Sequence, residues 1–176
     1  AYAYEGLVSF KDGAAVPALA ESWTISEDGL DIIFNLRVGV KFHDSSDLNA
    51  DAVITNFNRW FDTANALHGD GVFEAWKNAF GGFKGEVVAD GNPASSYDGI
   101  EKVNELTVLV HHNMPVDDFL SKISDPAFSI ASPAALNAGG FGTADGQDGG
   151  TGAYTFKFGD ASIDFTPNTG YWDPAA

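Results

Sequence analysis

The sequence predicts an α/β domain of α+β character, with a mixed, mainly antiparallel sheet and short helices. Several stretches alternate apolar and polar residues with the period of two that half-buried strands show, and turn residues separate them. Stretches with helical spacing are few and short. The chain has 176 residues, of which 44% are hydrophobic and 13% aromatic, and this is enough to build a packed core.

Two hairpin-like units are predicted at the N-terminus. Their turns lie at Asp12-Gly13 and Asp28-Gly29, because glycine takes the positive φ that a tight turn needs. From Phe34 to Phe42 every second residue is apolar. This alternation predicts one half-buried strand across the whole range.

A helix is predicted to follow that strand. Asn49 is suited to be its N-cap, and Asp51 falls in the first turn, where the helix dipole favours a negative charge. Apolar residues recur at helical spacing from Val53 to Phe61. The stretch RVGVKFHDSSDLNADAVITNF is therefore predicted to be a strand–turn–helix unit.

The second half of the chain is predicted to contain short elements between loops. Residues 62–99 are mostly loop, with one helical turn at WKNAF, and a strand covers residues 106–112. Two short helices begin near Pro115 and Pro133, where proline suits the first turn. The glycine-rich residues 139–152 are predicted to be a loop, and YTFKF and SIDFT to pair as a hairpin around Gly159-Asp160.

The charge of the chain restricts its partners. Asp and Glu number 25 against 9 Lys and Arg, which gives a formal net charge of −16. Such a surface repels nucleic-acid phosphates and anionic lipid headgroups, so no nucleic-acid partner is expected. The absence of cysteine excludes disulfides and thiolate-bound metals. No apolar run is long enough to predict a membrane span.

The acidic and glycine-rich loops offer two alternatives that the sequence leaves open. Backbone N–H groups of residues 139–152 are candidates for binding a phosphate, but no P-loop context surrounds them and Asp145 and Asp148 oppose an anion. The same aspartates, or Asp90 with Asn92 and Asp98, are candidates for binding calcium, although neither tract has the EF-hand spacing. A solvated loop is the simpler interpretation of both tracts.

Catalytic and metal-binding patterns are not evident. His111 and His112 are adjacent on a predicted strand and point to opposite faces, and His43 is assigned to the turn after its strand. Acidic pairs such as Asp117-Asp118 arise by chance in so acidic a chain, and no Gly-x-Ser-x-Gly elbow occurs. The sequence therefore predicts no enzyme, no metal and no cofactor.

One cation is placed among large aromatic residues. Arg59, one of only two arginines, precedes Trp60 and Phe61 on the predicted helix. A guanidinium in an aromatic cleft can bind a carboxylate through two hydrogen bonds. The alternative is that the two aromatic residues belong to the core and Arg59 extends its charged end to solvent.

Several motifs follow one another in a fixed order. They are YEGL, PALAESW, SEDGL, LRVGVKFHD and NADAV, then DPAFSIASPAAL, GTGAYTF and NTGYW. In this order they resemble the extracellular solute-binding proteins, family 5, of the oligopeptide, dipeptide and nickel type, which serve ABC importers. The chain departs from the family pattern at Ser45-Ser46, where glycine and proline are common, and at Ala153, which replaces a proline.

The resemblance implies the first lobe of a periplasmic-binding-protein-like fold. Family members are much longer, and the expectation is that this chain covers most of that lobe and that the second lobe is absent from it. Residues 1–30 and 150–176 are expected to form the main-sheet part of the lobe. Residues 31–149 are expected to form an inserted subdomain.

The resemblance also implies a function and a set of binding residues. The expected function is capture of short peptides, or secondarily a metal chelate or a sugar, for an ABC permease. The expected location is outside the cytoplasm, at the periplasm or cell surface, secreted or lipid-anchored in the full-length form. The residues expected to contact the ligand are Tyr4, Glu5, Gly6, Arg59, Trp60 and Phe128.

Each of these residues has an expected role. Glu5 would bind a ligand ammonium, Arg59 would bind a carboxylate, and Trp60 or Phe128 would offer a flat apolar wall. The structural alternatives are capping for Glu5 and core packing for Phe128. The alternative function is a structural module that self-associates through an apolar face left by the missing lobe.

Overall fold

The computed structural model of the chain describes residues 3–115, 118–159 and 161–173. Eight strands and four α-helices lie in this part of the chain. In order they are β1 (Val8–Lys11), β2 (Ala14–Pro17), β3 (Ala20–Ile25), β4 (Asp31–Leu36), α1 (Ala50–Phe61), α2 (Glu74–Phe80), β5 (Tyr97–Asn104), β6 (Thr107–His112), α3 (Phe119–Ile123), α4 (Pro133–Asn137), β7 (Tyr154–Phe158) and β8 (Ile163–Pro167). A 3₁₀ turn, Pro126–Phe128, lies between α3 and α4. The predicted α/β class with short helices is confirmed.

The largest sheet has four strands in the order β3-β4-β6-β5, and every pair of neighbours is antiparallel. In β4 and β6 the residues Phe34 and Val108 face each other across the ladder, as do Ile32 and Val110. All four side chains are buried. Helix α1 packs on β5 and β6, and this helix therefore forms a second layer over the sheet.

Two further hairpins flank this sheet. Strands β1 and β2 pair around the predicted turn at Asp12-Gly13, and β7 pairs with β8 as the sequence indicated. The expected domain boundary at residue 30 falls in the turn between β3 and β4, which pair with each other. The division into 1–30 with 150–176 and 31–149 stays a prediction.

The predicted strand from Phe34 to Phe42 is wrong beyond Leu36. Gly39 has a φ of 77°, which ends the extended conformation and forms a turn. Val38 is 78% exposed at this turn, whereas Val40 and Phe42 return to the core. The alternating pattern continues beyond the strand because Val40 and Phe42 are apolar core residues, although they are not part of β4.

The predicted start of α1 is confirmed. Asn49 is the N-cap, and its side chain accepts a hydrogen bond of 2.9 Å from the backbone N–H of Ala52. One face of the helix is buried and contains Phe57 and Trp60. These two rings lie 5.1 Å apart and enter an aromatic core with Trp76, Phe80, Tyr97, Phe119 and Phe128.

The helices of the described residues are all short. None of them is long and apolar enough to span a membrane.

Candidate functional site

A cavity of about 560 Å³ opens beside the C-terminal end of α1. Its walls come from distant parts of the chain. The lining residues are Ala3, Tyr4, Arg59, Trp60, Pro126, Ala127, Ser129, Phe141, Gly142, Thr143, Gly146, Gln147, Phe156, Phe158 and Phe165. Within the part of the chain that the structure describes, this lining is largely apolar and contains one cation and no carboxylate.

Arg59 supplies that cation from the last turn of α1. The centre of its guanidinium lies 5.0 Å from the ring centroid of Phe141 and 5.2 Å from that of Phe73, within cation–π range. Its Nε atom is buried and has no hydrogen-bond partner among the described residues. Burial lowers the pKa of Arg59 from its usual value, and Tyr4 opposes that shift. The group stays charged at neutral pH because arginine titrates far above it.

Tyr4 forms the neighbouring wall. Its hydroxyl accepts a hydrogen bond of 3.2 Å from the backbone N–H of Gly149, and its ring lies 6.0 Å from those of Phe141 and Phe156. Burial raises the pKa of Tyr4, and the carboxylate of Asp148 adds to the shift. The phenol therefore stays neutral and serves as wall and hydrogen-bonding group.

Trp60 and Phe128 lie deeper in the molecule. Trp60 borders the cavity but is only 2% exposed, and Phe128, 4% exposed, packs against it edge-on at 5.4 Å between ring centroids. Phe128 is not part of the cavity lining. The structure thus places Trp60 at the floor of the cavity and Phe128 behind that floor.

Glu5 and Gly6 lie in a second, smaller cavity of about 210 Å³. One carboxylate oxygen of Glu5 accepts hydrogen bonds from the hydroxyl of Thr151 at 2.8 Å and the indole N–H of Trp172 at 2.9 Å. The other accepts from the hydroxyl of Tyr171 at 2.7 Å. Burial and the Glu5 carboxylate raise the pKa of Tyr171, which stays a donor. The three donors give Glu5 an internal role that joins the N-terminal segment to the chain around residue 172.

Of the six expected ligand contacts, the structure brings Tyr4, Arg59 and Trp60 together at the larger cavity. The expected ligand roles of all six stay predictions. The sequence analysis did not identify the aromatic residues that complete the wall, namely Phe141, Phe156, Phe158 and Phe165.

A signal for part of that wall is present in the sequence. Phe156 and Phe158 are two positions apart on β7, which places them on one face, and Phe165 pairs directly with Phe156 across the ladder. Phe141, by contrast, lies within the glycine-rich tract 139–152, where no periodicity exists. Its contact with Arg59 arises from tertiary structure alone.

The side chain of Asp148 joins the glycine-rich tract to other segments of the chain through hydrogen bonds. Its Oδ1 atom lies 2.7 Å from Nδ1 of His43, and its Oδ2 accepts a hydrogen bond of 2.8 Å from the backbone N–H of Phe156. The interpretation of this aspartate as part of a solvated loop is therefore wrong. Glycine at 150 is required because a Cβ there would lie 1.9 Å from the carbonyl oxygen of Ala3.

Comparison with known proteins gives a consistent result. Residues 14–176 match the family described as bacterial extracellular solute-binding proteins, family 5 Middle. Di/tripeptide-binding protein 4 of Pseudomonas aeruginosa (strain UCBPP-PA14) is 35% identical, and the match covers 96% of this chain and 32% of that protein. Heme-binding protein A of Haemophilus influenzae (strain ATCC 51907 / DSM 11121 / KW20 / Rd) is 33% identical, with coverage of 96% and 32%.

A solved structure agrees with these relatives. HbpA2 from Haemophilus parasuis superposes with a TM-score of 0.79 at 33% identity, over 97% of this chain and 34% of that chain. The chain thus spans about a third of the length of the relatives it matches. It belongs to the bacterial extracellular solute-binding proteins of family 5.

Proposed function

We propose that this chain forms one wall of a peptide-binding site in an extracytoplasmic receptor for an ABC importer. The observation that supports this most directly is the cavity of about 560 Å³, whose apolar lining surrounds a single guanidinium. Ligand sites in proteins are concave and mostly apolar, with few polar groups that fix orientation. Cooperation with an ABC permease and a location outside the cytoplasm belong to the same proposal, which assigns no catalytic residue.

The identity of the ligand is the finer part of the proposal. One relative is named for di- and tripeptides and another for heme, so family membership alone does not choose between ligands. A short peptide suits this lining, because its apolar side chains match the aromatic wall and its terminal carboxylate matches Arg59. A metal chelate or a sugar remains secondary, since the lining has few polar groups.

Titration with short peptides tests the proposal. The amide signals of Gly142, Gly146 and Phe156 in ¹⁵N–¹H NMR spectra should shift on addition of di- and tripeptides, because these residues line or adjoin the cavity. NMR detects the weak binding expected of a single wall. Peptides that leave all cavity amides unshifted would exclude this site.

A pair of matched variants locates the binding surface. Phe165 on β8 and Val103 on β5 are exposed to the same degree, 53% and 54%, but only Phe165 lines the cavity. Phe165→Ser should weaken peptide binding about tenfold, because loss of part of an aromatic contact is worth at least 1.4 kcal/mol. Val103→Ser should leave the affinity unchanged. Equal effects of both substitutions would contradict the proposed site.

Self-association is the second candidate function, and one observation favours it. Phe158, Ile163 and Phe165 on the β7–β8 hairpin are between 38% and 53% exposed, and they are close together on this hairpin. Exposed apolar patches attract partners. Analytical ultracentrifugation distinguishes the two functions, because self-association through this hairpin predicts a sedimenting dimer that Ile163→Ser dissociates.

A further inference from the structure

The charge of the larger cavity indicates what kind of ligand it accepts. The described residues that line it include Arg59 and no Asp or Glu. Asp148, which follows the lining residue Gln147, already accepts hydrogen bonds from His43 and from the backbone of Phe156. From the described residues of this wall, a bound ligand therefore meets one positive charge without an ion-pair partner and no carboxylate that could hold an ammonium.

Arg59 contacts two aromatic rings but has no hydrogen-bonding partner among the described residues. Among the described residues no ion pair involves it, and its side chain makes no hydrogen bond. The other arginine differs, because the Nε atom of Arg37 donates to the carbonyl oxygen of Ala18 and its guanidinium lies 4.4 Å from the ring centroid of Trp172. Of the two, only Arg59 presents unused donors at a cavity, and carboxylates are the group that a guanidinium binds best.

The surroundings of Arg59 are aromatic. Phe141 and Phe73 lie close to its guanidinium, and Tyr4 and Phe156 continue the wall beyond Phe141. Such rings stack with planar or large apolar groups, and they exclude water from an ion pair at their edge. One half-buried cation balances one negative charge, so a dianion such as a phosphate monoester would leave one charge uncompensated.

We infer that this wall selects a monoanion in which a carboxylate is joined to an aromatic or large aliphatic group, with the carboxylate at Arg59. The inference rests on the proposed function and narrows it. For a peptide, it means that this wall holds the C-terminal residue, and that an apolar C-terminal side chain is preferred. The described residues that line this wall include no carboxylate to pair with the N-terminal ammonium.

A matched pair of small probes tests the inference on the whole chain. N-acetyl-phenylalanine carries the carboxylate and the ring, and N-acetyl-phenylalaninamide has the same ring without the charge. The chain has two arginines, so its NMR spectrum has at most two arginine Nε–H signals, and Arg59→Lys identifies which one belongs to Arg59. Because Nε of Arg59 is buried, its proton is protected from exchange and should be observable.

The expected result has two parts. The acid should shift the Nε–H signal of Arg59 and leave that of Arg37 in place, and it should bind about tenfold more tightly than the amide, which corresponds to 1.4 kcal/mol. In Arg59→Gln, the affinity for the acid should fall to the affinity for the amide. Lys77→Gln, which removes the same charge from the exposed surface of α2, should keep the tenfold preference.

Three outcomes overturn the inference. Equal affinity of acid and amide, with shifts at the cavity amides, would refute the carboxylate preference and leave the proposed peptide site in place. Binding of peptides without binding of either probe would also refute the carboxylate preference and leave the proposed peptide site in place. No shift from peptides or probes would overturn the inference and the proposed function together. The comparison of acid with amide uses the wild-type chain, so it does not depend on the folding of any variant.

Discussion

His43 and Asp148 form a partly buried pair, with 2.7 Å between Nδ1 and Oδ1, although they are 105 positions apart in the sequence. The second ring nitrogen of His43 lies 2.9 Å from the carbonyl oxygen of Gly152. Both nitrogens therefore face oxygen atoms, and an imidazolium, which donates from both, satisfies this arrangement in full. The pair holds the glycine-rich tract, and with it one wall of the cavity, against the turn that follows Val40.

The stability of the chain should decrease as the pH rises above about 6.5 because of this pair. Burial acts to lower the pKa of His43, but the hydrogen bonds to Asp148 and Gly152 and the charges of Asp148 and Glu5 outweigh it, and the net shift is upward. A raised pKa in the folded state gives stability that is complete below the unfolded pKa of about 6.5. That stability is lost as the pH rises through the folded pKa.

Urea unfolding at a series of pH values checks this prediction. His43→Gln should be less stable than the wild type at pH 6.5 and should lose less stability up to pH 8.5. Asp148→Asn should behave in the same way, since it removes the acceptor that raises the pKa. Parallel pH profiles for the wild type and both variants would show that the pair does not titrate in this range.

His112 should have the opposite effect. Its ring packs at 4.6 Å from that of Phe119, and neither ring nitrogen has a hydrogen-bond partner among the described residues. Burial lowers the pKa of His112, against the opposing effects of the Leu30 carbonyl and the Asp31 carboxylate. A lowered pKa means that stability is lost as the pH falls below about 6.5, because only the unfolded chain takes up the proton.

A substitution by phenylalanine isolates that effect. His112→Phe should raise the free energy of unfolding by about 1 kcal/mol at pH 7, because it removes two unpaired buried nitrogens. The gain should be larger at pH 5.5. Carboxylates with a lowered pKa, such as Asp44, do not obscure this effect, because their contribution to stability is lost only at a pH well below 5.5. A smaller gain at pH 5.5 than at pH 7 would contradict the neutral, buried state of His112.

The sequence predicted local structure better than the site. The cap at Asn49 and the turn at Asp12-Gly13 depend on a few adjacent residues, and the structure contains both. The end of β4 at Leu36 was not predicted, because Val40 and Phe42 keep the alternating pattern although they pack from beyond a turn.

The cavity wall was predicted only in part for a different reason. Arg59 and Trp60 are neighbours on one helix, so the sequence shows them together. Phe141 reaches Arg59 from a glycine-rich tract that has no periodicity. The same tract is held by the contact between His43 and Asp148, which are 105 positions apart, and no local pattern encodes such a contact.

Asn56 should be essential for stability, unlike Asn58 on the same helix. The buried amide of Asn56 donates to the carbonyl oxygen of Ala131 at 2.7 Å and accepts from the N–H of Ala131 at 3.2 Å. Asn56→Ala leaves both backbone groups buried without partners and should lower the free energy of unfolding by about 3 kcal/mol.

The control for this prediction is Asn58→Ala. Asn58 is exposed, and its replacement should change stability by less than about 0.5 kcal/mol. Urea unfolding of both variants at pH 7 measures the difference. Similar midpoints for the two would show that the hydrogen bonds to Ala131 contribute nothing.

Glu5 should stabilise the contact between the segment around residue 5 and the segment around residue 172. Glu5→Gln converts one of its acceptor oxygens into a donor that opposes one of Thr151, Tyr171 or Trp172. The expected loss is about 2 kcal/mol, since hydrogen bonds to charged groups exceed neutral ones. The indole N–H signal of Trp172 should shift in the NMR spectrum. Glu21→Gln, on the exposed surface of β3, should change neither the stability nor that signal.

The walls of the cavity come from segments around residues 4, 59, 128, 141 and 156, and this separation governs how the chain reaches its native state. Contacts between residues that are distant in sequence require the closure of long loops, which slows folding. The helix that carries Arg59 can form early, whereas the cavity exists only after residues more than a hundred positions apart have met. Until that step the phenylalanines of its wall are exposed to solvent, so refolding at high protein concentration competes with aggregation.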